Sequence, residues 1–158
     1  MQNAQDELAI RSLAAAYSDA VNRRDADGMA AVFAPDGIIE KPGFGDPVQG
    51  TEKILKRYRR LQRERDFLCQ MMHSGIVEID GDRATARWWF SEIKKPVGTD
   101  DWLSMIGVYQ DEVVRTPEGW RFARRMQMTI QEHAWPGGAG LSFHGLPDFL
   151  PLRGLPTP

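Results

Sequence analysis

The chain is poor in the residues that form disulfides and bind metals. Its 158 residues include one cysteine, Cys69, and three histidines, His73, His133 and His144. A single thiol excludes an internal disulfide, and this inventory cannot supply a zinc site built on thiolates. We therefore expect a reduced, cytoplasmic protein with no metal site and no cofactor.

Long apolar runs and an excess of one charge are also absent. The 20 Lys and Arg residues nearly balance the 22 Asp and Glu residues, for a net charge of -2. With this balance, the chain lacks the excess of positive charge that binding to nucleic acids or anionic membranes usually requires. No stretch approaches the roughly 18 apolar residues of a membrane span, and the polar, acidic N-terminus is unlike a signal peptide. We expect one soluble domain with neither a nucleic acid nor a membrane as partner.

The first half of the sequence has the period of amphipathic helices. Four apolar residues recur at spacings of three and four, which predicts a helix from Asp6 to about Arg24: Ile10, Leu13, Tyr17 and Val21. Asp25 is a candidate N-cap for a short second helix that ends at a turn over residues 34–37. A brief strand at residues 38–40 precedes a third helix with a basic outer face, which Thr51 can cap.

The second half has the alternating pattern of strands. Residues 67–79 and 83–93 are joined by Asp80-Gly81-Asp82, which is a tight-hairpin signal. Residues 102–115 and 120–133 form a second pair around the turn at 116–119. The order predicts an α+β domain over residues 1–134, with helices packed on a strongly bent antiparallel sheet.

The C-terminal residues differ in composition from the rest of the chain. Residues 136–158 hold five of the ten prolines and five of the fifteen glycines, yet they also contain many leucine and phenylalanine residues. We expect residues 135–158 to form an irregular, Gly/Pro-rich apolar arm. It would dock on the domain, on a neighbouring subunit or over the mouth of a pocket.

His73 is the most informative polar residue, because the usual nucleotide, hydrolase and metalloprotease signatures are absent. Strict alternation places His73 on the same strand face as Gly75, Val77 and Ile79, which is the apolar side. It is either a core histidine satisfied by one hydrogen bond or a general base. Asp25 is either a helix cap or the carboxylate that orients this imidazole.

Several segments together resemble the SnoaL-like branch of the nuclear-transport-factor-two-like superfamily. The resemblance spans about residues 6–133 and rests on Tyr17-Ser18-Asp19 through Asp25, the turn Phe33-Ala34-Pro35-Asp36-Gly37, His73 with residues 77–82, Tyr109-Gln110-Asp111-Glu112, and Gly119-Trp120-Arg121-Phe122-Ala123-Arg124-Arg125. It implies a cone-shaped cystatin-like fold, in which three N-terminal helices pack on a curved antiparallel or mixed sheet around a pocket.

Within that superfamily the chain is most similar to the hexachlorocyclohexane dehydrochlorinase, scytalone dehydratase and bile-acid dehydratase group. Asp25 and His73 stand at the positions of that group's catalytic Asp-His pair. Arg125 aligns with an arginine on the last strand, although a one-residue bulge would present Arg124 instead. Ala20 replaces the lysine or tyrosine that assists those enzymes.

The resemblance implies a cofactor-free lyase or isomerase that acts on a small hydrophobic substrate, such as a fused-ring compound. His73, Asp25 and Arg125 would be catalytic, and five residues would contact the substrate: Tyr17, Met71, Trp88, Met105 and Tyr109. The alternatives are a polyketide cyclase and a non-catalytic ligand-binding or assembly module, such as the small subunit of a ring-hydroxylating dioxygenase. The exposed sheet face and apolar arm predict a homodimer or homotrimer.

Overall fold

Three α-helices and six β-strands make up residues 2–138, the part of the chain that this computed structural model describes. The elements are α1 (Gln2–Asn22), α2 (Ala26–Ala31), β1 (Phe33–Glu40), β2 (Val48–Gln49), α3 (Thr51–Arg63), β3 (Arg65–Asp80), β4 (Arg83–Pro96), β5 (Trp102–Thr116) and β6 (Gly119–Trp135). The predicted α+β class is confirmed. The predicted C-terminal arm lies outside the described residues, apart from the end of β6 and a short turn at Pro136–Gly138.

The strands form one mixed sheet in the order β2-β1-β6-β5-β4-β3. Only the β1–β6 pair is parallel among these neighbours, and the other pairs are antiparallel. Gly81 and Gly119 lie in the two predicted hairpin turns with φ angles of 58° and 105°. Glycine adopts this left-handed region without the steric cost that other residues meet, so both turns are locally encoded.

Helices α1 and α3 cover one face of the sheet, and the core lies between them. Tyr17 of α1 packs edge-on against Phe33, Tyr58, Tyr109 and Phe122, with ring centroids 5.8–6.5 Å apart. Such edge-to-face pairs are favourable beyond the apolar area that they bury. The aromatic cluster therefore fixes both helices over the sheet and forms the floor of the cavity described below.

A β-bulge interrupts the side-chain alternation of β3. Met72 pairs with Phe90 and Gly75 pairs with Trp88, so three steps on β3 oppose two steps on β4. The extra residue falls at His73-Ser74 and reverses the alternation, because successive side chains of a regular strand point to opposite faces. Met72 and Gly75 both lie on the helix-covered face, whereas His73 is exposed on the outer face.

Gly75, which follows the bulge, lies close to β4 and yields a stability prediction. A Cβ atom at Gly75 would lie 2.2 Å from Trp88 Cε3 and 2.5 Å from the Arg87 carbonyl oxygen. Gly75→Ala should therefore lower the free energy of unfolding by about 1–3 kcal/mol through overpacking. Urea denaturation measures the loss. Ser74→Ala, at the exposed neighbouring position, serves as the control, and an equal effect of both changes would contradict the steric explanation.

Two local predictions differ from the structure. Residues 34–37, predicted as a turn, lie within β1, whose register shifts between Phe33 and Ile38 so that β1 stays paired with β6. Thr51, the predicted cap, is instead the first residue of α3, and Gly50 is the N-cap. The Thr51 hydroxyl lies 3.4 Å from the Pro35 carbonyl oxygen, because the following helix turns that side chain toward β1.

Candidate functional site

A cavity of about 330 Å³ lies between α1, α3 and the sheet. Its inner wall carries the polar side chains Tyr17, Tyr58, Gln70, Glu92 and Tyr109, and its apolar wall consists of Val21, Met29, Ile39, Leu61 and Leu68. This volume is at the small end for ligand pockets, which are largely apolar with a few converging polar groups. Charged side chains, among them Arg24, Lys41, Arg65 and Lys94, also line it. The cavity is therefore suited to a small molecule that has both a hydrophobic part and polar groups.

Gln70 connects the polar groups of the inner wall. Its Nε2 donates hydrogen bonds to Glu92 Oε2 at 3.2 Å and to the Tyr109 hydroxyl at 2.9 Å. Gln70 is 2% exposed, and its Oε1 has no hydrogen-bond partner within the described residues. A buried acceptor without a partner is costly, so a ligand N–H or O–H that reaches this oxygen would be bound favourably.

Glu92 places a carboxylate at the cavity wall. It lies on β4 two residues beyond Phe90, on the same strand face, and it is 7% exposed. Lys94 Nζ lies 3.8 Å from Glu92 Oε1 and forms a shorter ion pair, 3.0 Å, with Glu132 Oε2 nearer the rim. The carboxylate thus lines the cavity, where it accepts one hydrogen bond from Gln70 and lies within ion-pair distance of Lys94.

The tyrosine hydroxyls form the second chemical feature of the wall. The Tyr58 hydroxyl donates to the Tyr17 hydroxyl at 3.4 Å. Burial, with the adjacent Tyr17 hydroxyl, raises the pKa of Tyr58 and of Tyr109 well above the usual value for tyrosine. These phenols stay protonated at neutral pH. The Tyr58 proton is donated to Tyr17, whereas the Tyr109 hydroxyl accepts from Gln70 and can donate its own proton to a ligand oxygen.

Arg125, rather than Arg124, points into the domain. Its guanidinium forms a bidentate ion pair with Asp111 at 2.7 and 2.9 Å, and both side chains are fully buried. Burial disfavours the cation, but Asp111 more than compensates and raises the pKa of Arg125. Arg124 points outward and pairs with Glu40. A register shift between Glu112 and Val113 sets this arrangement.

Arg125 lies behind the tyrosines and not at the cavity surface. Its Cζ is 4.3 Å from the ring centroids of both Tyr17 and Tyr109. A cation over an aromatic face is attracted to the ring, and it favours the phenolate form of a phenol. The structure therefore gives Arg125 a positioning role toward the tyrosines.

The predicted Asp25–His73 pair does not form. Asp25 caps α2, where its Oδ1 accepts a hydrogen bond from the Gly28 amide at 2.8 Å, and its Oδ2 pairs with Arg23 at 3.3 Å. His73 is exposed on the outer face, with Nε2 2.9 Å from Ser91 Oγ. The β3 bulge explains the error, since alternation without the bulge places His73 on the inner face. The capping interpretation of Asp25 is the one that the structure supports.

Comparison with known proteins is consistent with this architecture. The profile of the SnoaL-like domain matches residues 2–126. The chain belongs to the SnoaL-like domain family. The uncharacterized protein Rv2910c of Mycobacterium tuberculosis is 30% identical over 123 residues, which is 77% of this chain and 84% of that protein.

Solved structures share the SnoaL-like fold. An NTF2-like protein with a cystatin-like fold from Novosphingobium aromaticivorans is 25% identical, with a TM-score of 0.69 over 82% of this chain and 84% of that one. The hexachlorocyclohexane dehydrochlorinase LinA-type3 from Novosphingobium barchaimii has a TM-score of 0.80 over 91% of this chain and 97% of that one, at 16% identity. The predicted superfamily and the cystatin-like fold are thereby confirmed.

The five predicted substrate contacts of this SnoaL-like domain lie in three different places: the cavity wall, the buried core and the outer face of the sheet. Tyr17 and Tyr109 line the cavity. Trp88 and Met105 lie on the inner face but are buried in the core, outside the cavity lining. Met71 lies two residues before His73 on β3, so both side chains are on the outer face, where Met71 is 44% exposed. Its predicted contact with a ligand in this cavity is wrong.

Sequence reasoning missed Gln70, Glu92 and Tyr58. A signal for Glu92 was available, because Trp88 and Phe90 define an inner face that includes Glu92 two residues later. Gln70 could not be found in the same way, since strict alternation from Gly75, Val77 and Ile79 places it on the outer face, and the bulge reverses that assignment. The apolar spacing of α3 predicts Tyr58 only as an ordinary core residue, and its side chain is 2% exposed.

The outer face of the SnoaL-like sheet exposes several large apolar side chains. They are Met71, Ile76, Trp89, Ile106 and Ile130, each between 44% and 59% exposed. Exposed apolar side chains on one surface are typical of interaction sites. The homodimer or homotrimer stays a prediction, for which this face is the candidate interface.

Two further features of residues 2–138 concern metals and membranes. No three His, Cys, Asp or Glu side chains in this range lie close enough together to bind a metal ion. None of the helices described is both long and apolar enough to span a membrane.

Proposed function

We propose that this protein is a cofactor-free lyase or isomerase, and that Glu92 moves a proton on a small hydrophobic substrate in the cavity. The observation that carries the proposal is the hydrogen-bonded series Glu92–Gln70–Tyr109 on the cavity wall. It places a proton acceptor and protonated phenols around one apolar space. Proton abstraction from carbon requires this combination of a base and donors to the developing oxyanion.

The chemistry follows from the order of the groups along the wall. Glu92 accepts a proton from a carbon next to a carbonyl group, and the electron pair of that C–H bond moves to the carbonyl oxygen. The tyrosine hydroxyls donate hydrogen bonds to this oxygen, an interaction that is typically worth about 10²- to 10³-fold in rate. An isomerase then returns the proton to another carbon, whereas a lyase expels a leaving group.

Arg125 supports the donors in this proposal. Its cation lies against the Tyr17 and Tyr109 rings and opposes the rise in pKa that burial causes in Tyr109. A phenol whose pKa is lower donates a stronger hydrogen bond to an oxyanion. The likeness of the fold to a dehydrochlorinase agrees with elimination as one form of the reaction.

Solvent deuterium exchange tests the proposal without knowledge of the natural substrate. Fused-ring ketones such as tetralone are incubated with the protein in D₂O, and loss of the α-proton signal is followed by NMR. We expect protein-dependent exchange, with the His73→Gln variant exchanging at the rate of the unaltered protein. Loss of exchange in His73→Gln would restore the Asp–His assignment. Binding of every ketone without exchange would instead identify a non-catalytic binding module.

A further inference from the structure

The outer face of α3 carries a concentration of positive charge that the proposed reaction does not use. The helix contains six cationic residues, Lys53, Lys56, Arg57, Arg59, Arg60 and Arg63, and one acidic residue, Glu52. The whole chain has a net charge of -2, so this charge is strongly segregated. Such a local field attracts anions even where the protein as a whole is acidic.

Within residues 2–138, most of these cations have no ion-pair or hydrogen-bond partner. Arg59 pairs with Asp27, and Arg60 makes a long contact of 3.5 Å with Glu64. In the described part of the chain, no salt bridge or side-chain hydrogen bond involves Lys53, Lys56, Arg57 or Arg63. The charges are therefore available to an external anion.

These side chains line a groove that is continuous with the cavity. The groove lies between α3 and residues 44–49. One acidic residue, Asp46, lines it together with five of the six α3 cations: Lys53, Lys56, Arg57, Arg60 and Arg63. Phe44, Arg57 and Arg60 line both the groove and the cavity. Phe44 is 64% exposed and lies at the boundary, with Lys41 Nζ 4.0 Å from its ring centroid. A ligand can thus occupy both spaces at once.

The distribution of charge indicates what kind of anion fits. Lys53 and Arg63 are ten residues apart on α3, which corresponds to about 15 Å at the rise of an α-helix. One carboxylate cannot contact cations spread over that distance, whereas several phosphate groups can. Lysine and arginine are also the residues that commonly bind phosphates.

We propose that the substrate carries a phosphorylated end group, which lies in the α3 groove while its apolar part occupies the cavity. This inference rests on the proposed function for the identity of the cavity as the reaction site. It narrows the substrate class to hydrophobic groups attached to a phosphate-bearing carrier. The phosphates bind outside the cavity and do not approach Glu92.

Direct binding of a phosphorylated probe tests the groove independently of catalysis. Coenzyme A supplies phosphates on a flexible arm, pantetheine supplies the same arm without phosphates, and inorganic pyrophosphate supplies the anion alone. By calorimetry we expect coenzyme A to bind at least tenfold more tightly than pantetheine. Pyrophosphate should compete for the site, and higher salt should weaken binding because the contacts are exposed.

Charge-removal variants locate the binding site. Lys53→Gln/Lys56→Gln alters the groove and leaves the cavity lining intact, so it should weaken coenzyme A binding about tenfold. Arg83→Gln/Arg87→Gln on β4 removes the same charge at exposed positions away from the groove and should leave binding unchanged. Equal affinity for coenzyme A and pantetheine, or equal effects of the two double variants, would overturn the proposal. Tighter binding of single-stranded RNA that competes with coenzyme A would overturn it as well.

The outcomes separate this inference from the proposed function. Coenzyme A binding without any deuterium exchange would retain the phosphate site and reject the proton-transfer reaction. Exchange of neutral ketones without coenzyme A binding would retain the reaction and reject the phosphate site. Glu92→Gln should not change coenzyme A binding, because Glu92 lies on the cavity wall, away from the groove.

Discussion

Replacing Glu92 with glutamine is expected to lower the rate of proton transfer by about 10²- to 10⁴-fold, which is the usual contribution of a positioned general base. The amide has nearly the same shape, and its oxygen can still accept the hydrogen bond from Gln70 Nε2. The change removes basicity while it leaves the wall intact. Deuterium exchange at saturating ketone concentration measures the loss, and substrate affinity should change much less than the rate.

Glu132→Gln is the matched control for this experiment. Glu132 forms the 3.0 Å ion pair with Lys94 but is 45% exposed at the rim, so it lacks the desolvated position of Glu92. We expect a rate change of a few-fold at most, since exposed ion pairs contribute little. Equal losses in both variants would show that net charge near Lys94 matters rather than a base at Glu92. Full activity of Glu92→Gln would reject the proposed function as stated.

The elements of the fold could be predicted from local sequence, because their causes are local. Apolar spacing on α1 and glycine at the turns Gly81 and Gly119 act within a few residues, and the structure has helices and hairpins at these places. The parallel pairing of β1 with β6 could not be read in the same way. It depends on the register between residues that are far apart in the sequence.

The candidate site could be predicted only in part, for the same reason. Tyr17 and Tyr109, two of the predicted substrate contacts, both line the cavity, and their contact with a substrate stays a prediction. His73 was misplaced because the bulge depends on how β3 pairs with β4. The position of Asp25 predicts a helix cap, whereas the resemblance implies a catalytic role, and the three-dimensional structure shows the cap.

Removing the Arg125 guanidinium is expected to lower the free energy of unfolding more than Gly75→Ala does. Arg125→Met would leave the Asp111 carboxylate fully buried without its bidentate partner. Breaking a buried ion pair in this way typically costs about 3–5 kcal/mol, because the remaining charge is not compensated. Urea denaturation at pH 7 measures the free energy of unfolding. The double variant Arg125→Met/Asp111→Leu should recover most of the loss, since it leaves no buried charge.

The pH dependence of this loss tests its cause. Burial raises the pKa of Asp111 above its usual value, and Arg125 opposes that rise, so Arg125→Met should raise the pKa further. Between the pKa of the unfolded chain and this higher value, the folded variant binds a proton that the unfolded variant lacks. Folding stability therefore increases as the pH falls through that window. Arg125→Met should be less destabilising near pH 5 than at pH 7, and the double variant should lack this trend. A single variant whose loss is the same at both pH values would indicate lost packing against the aromatic rings instead of an unpaired carboxylate.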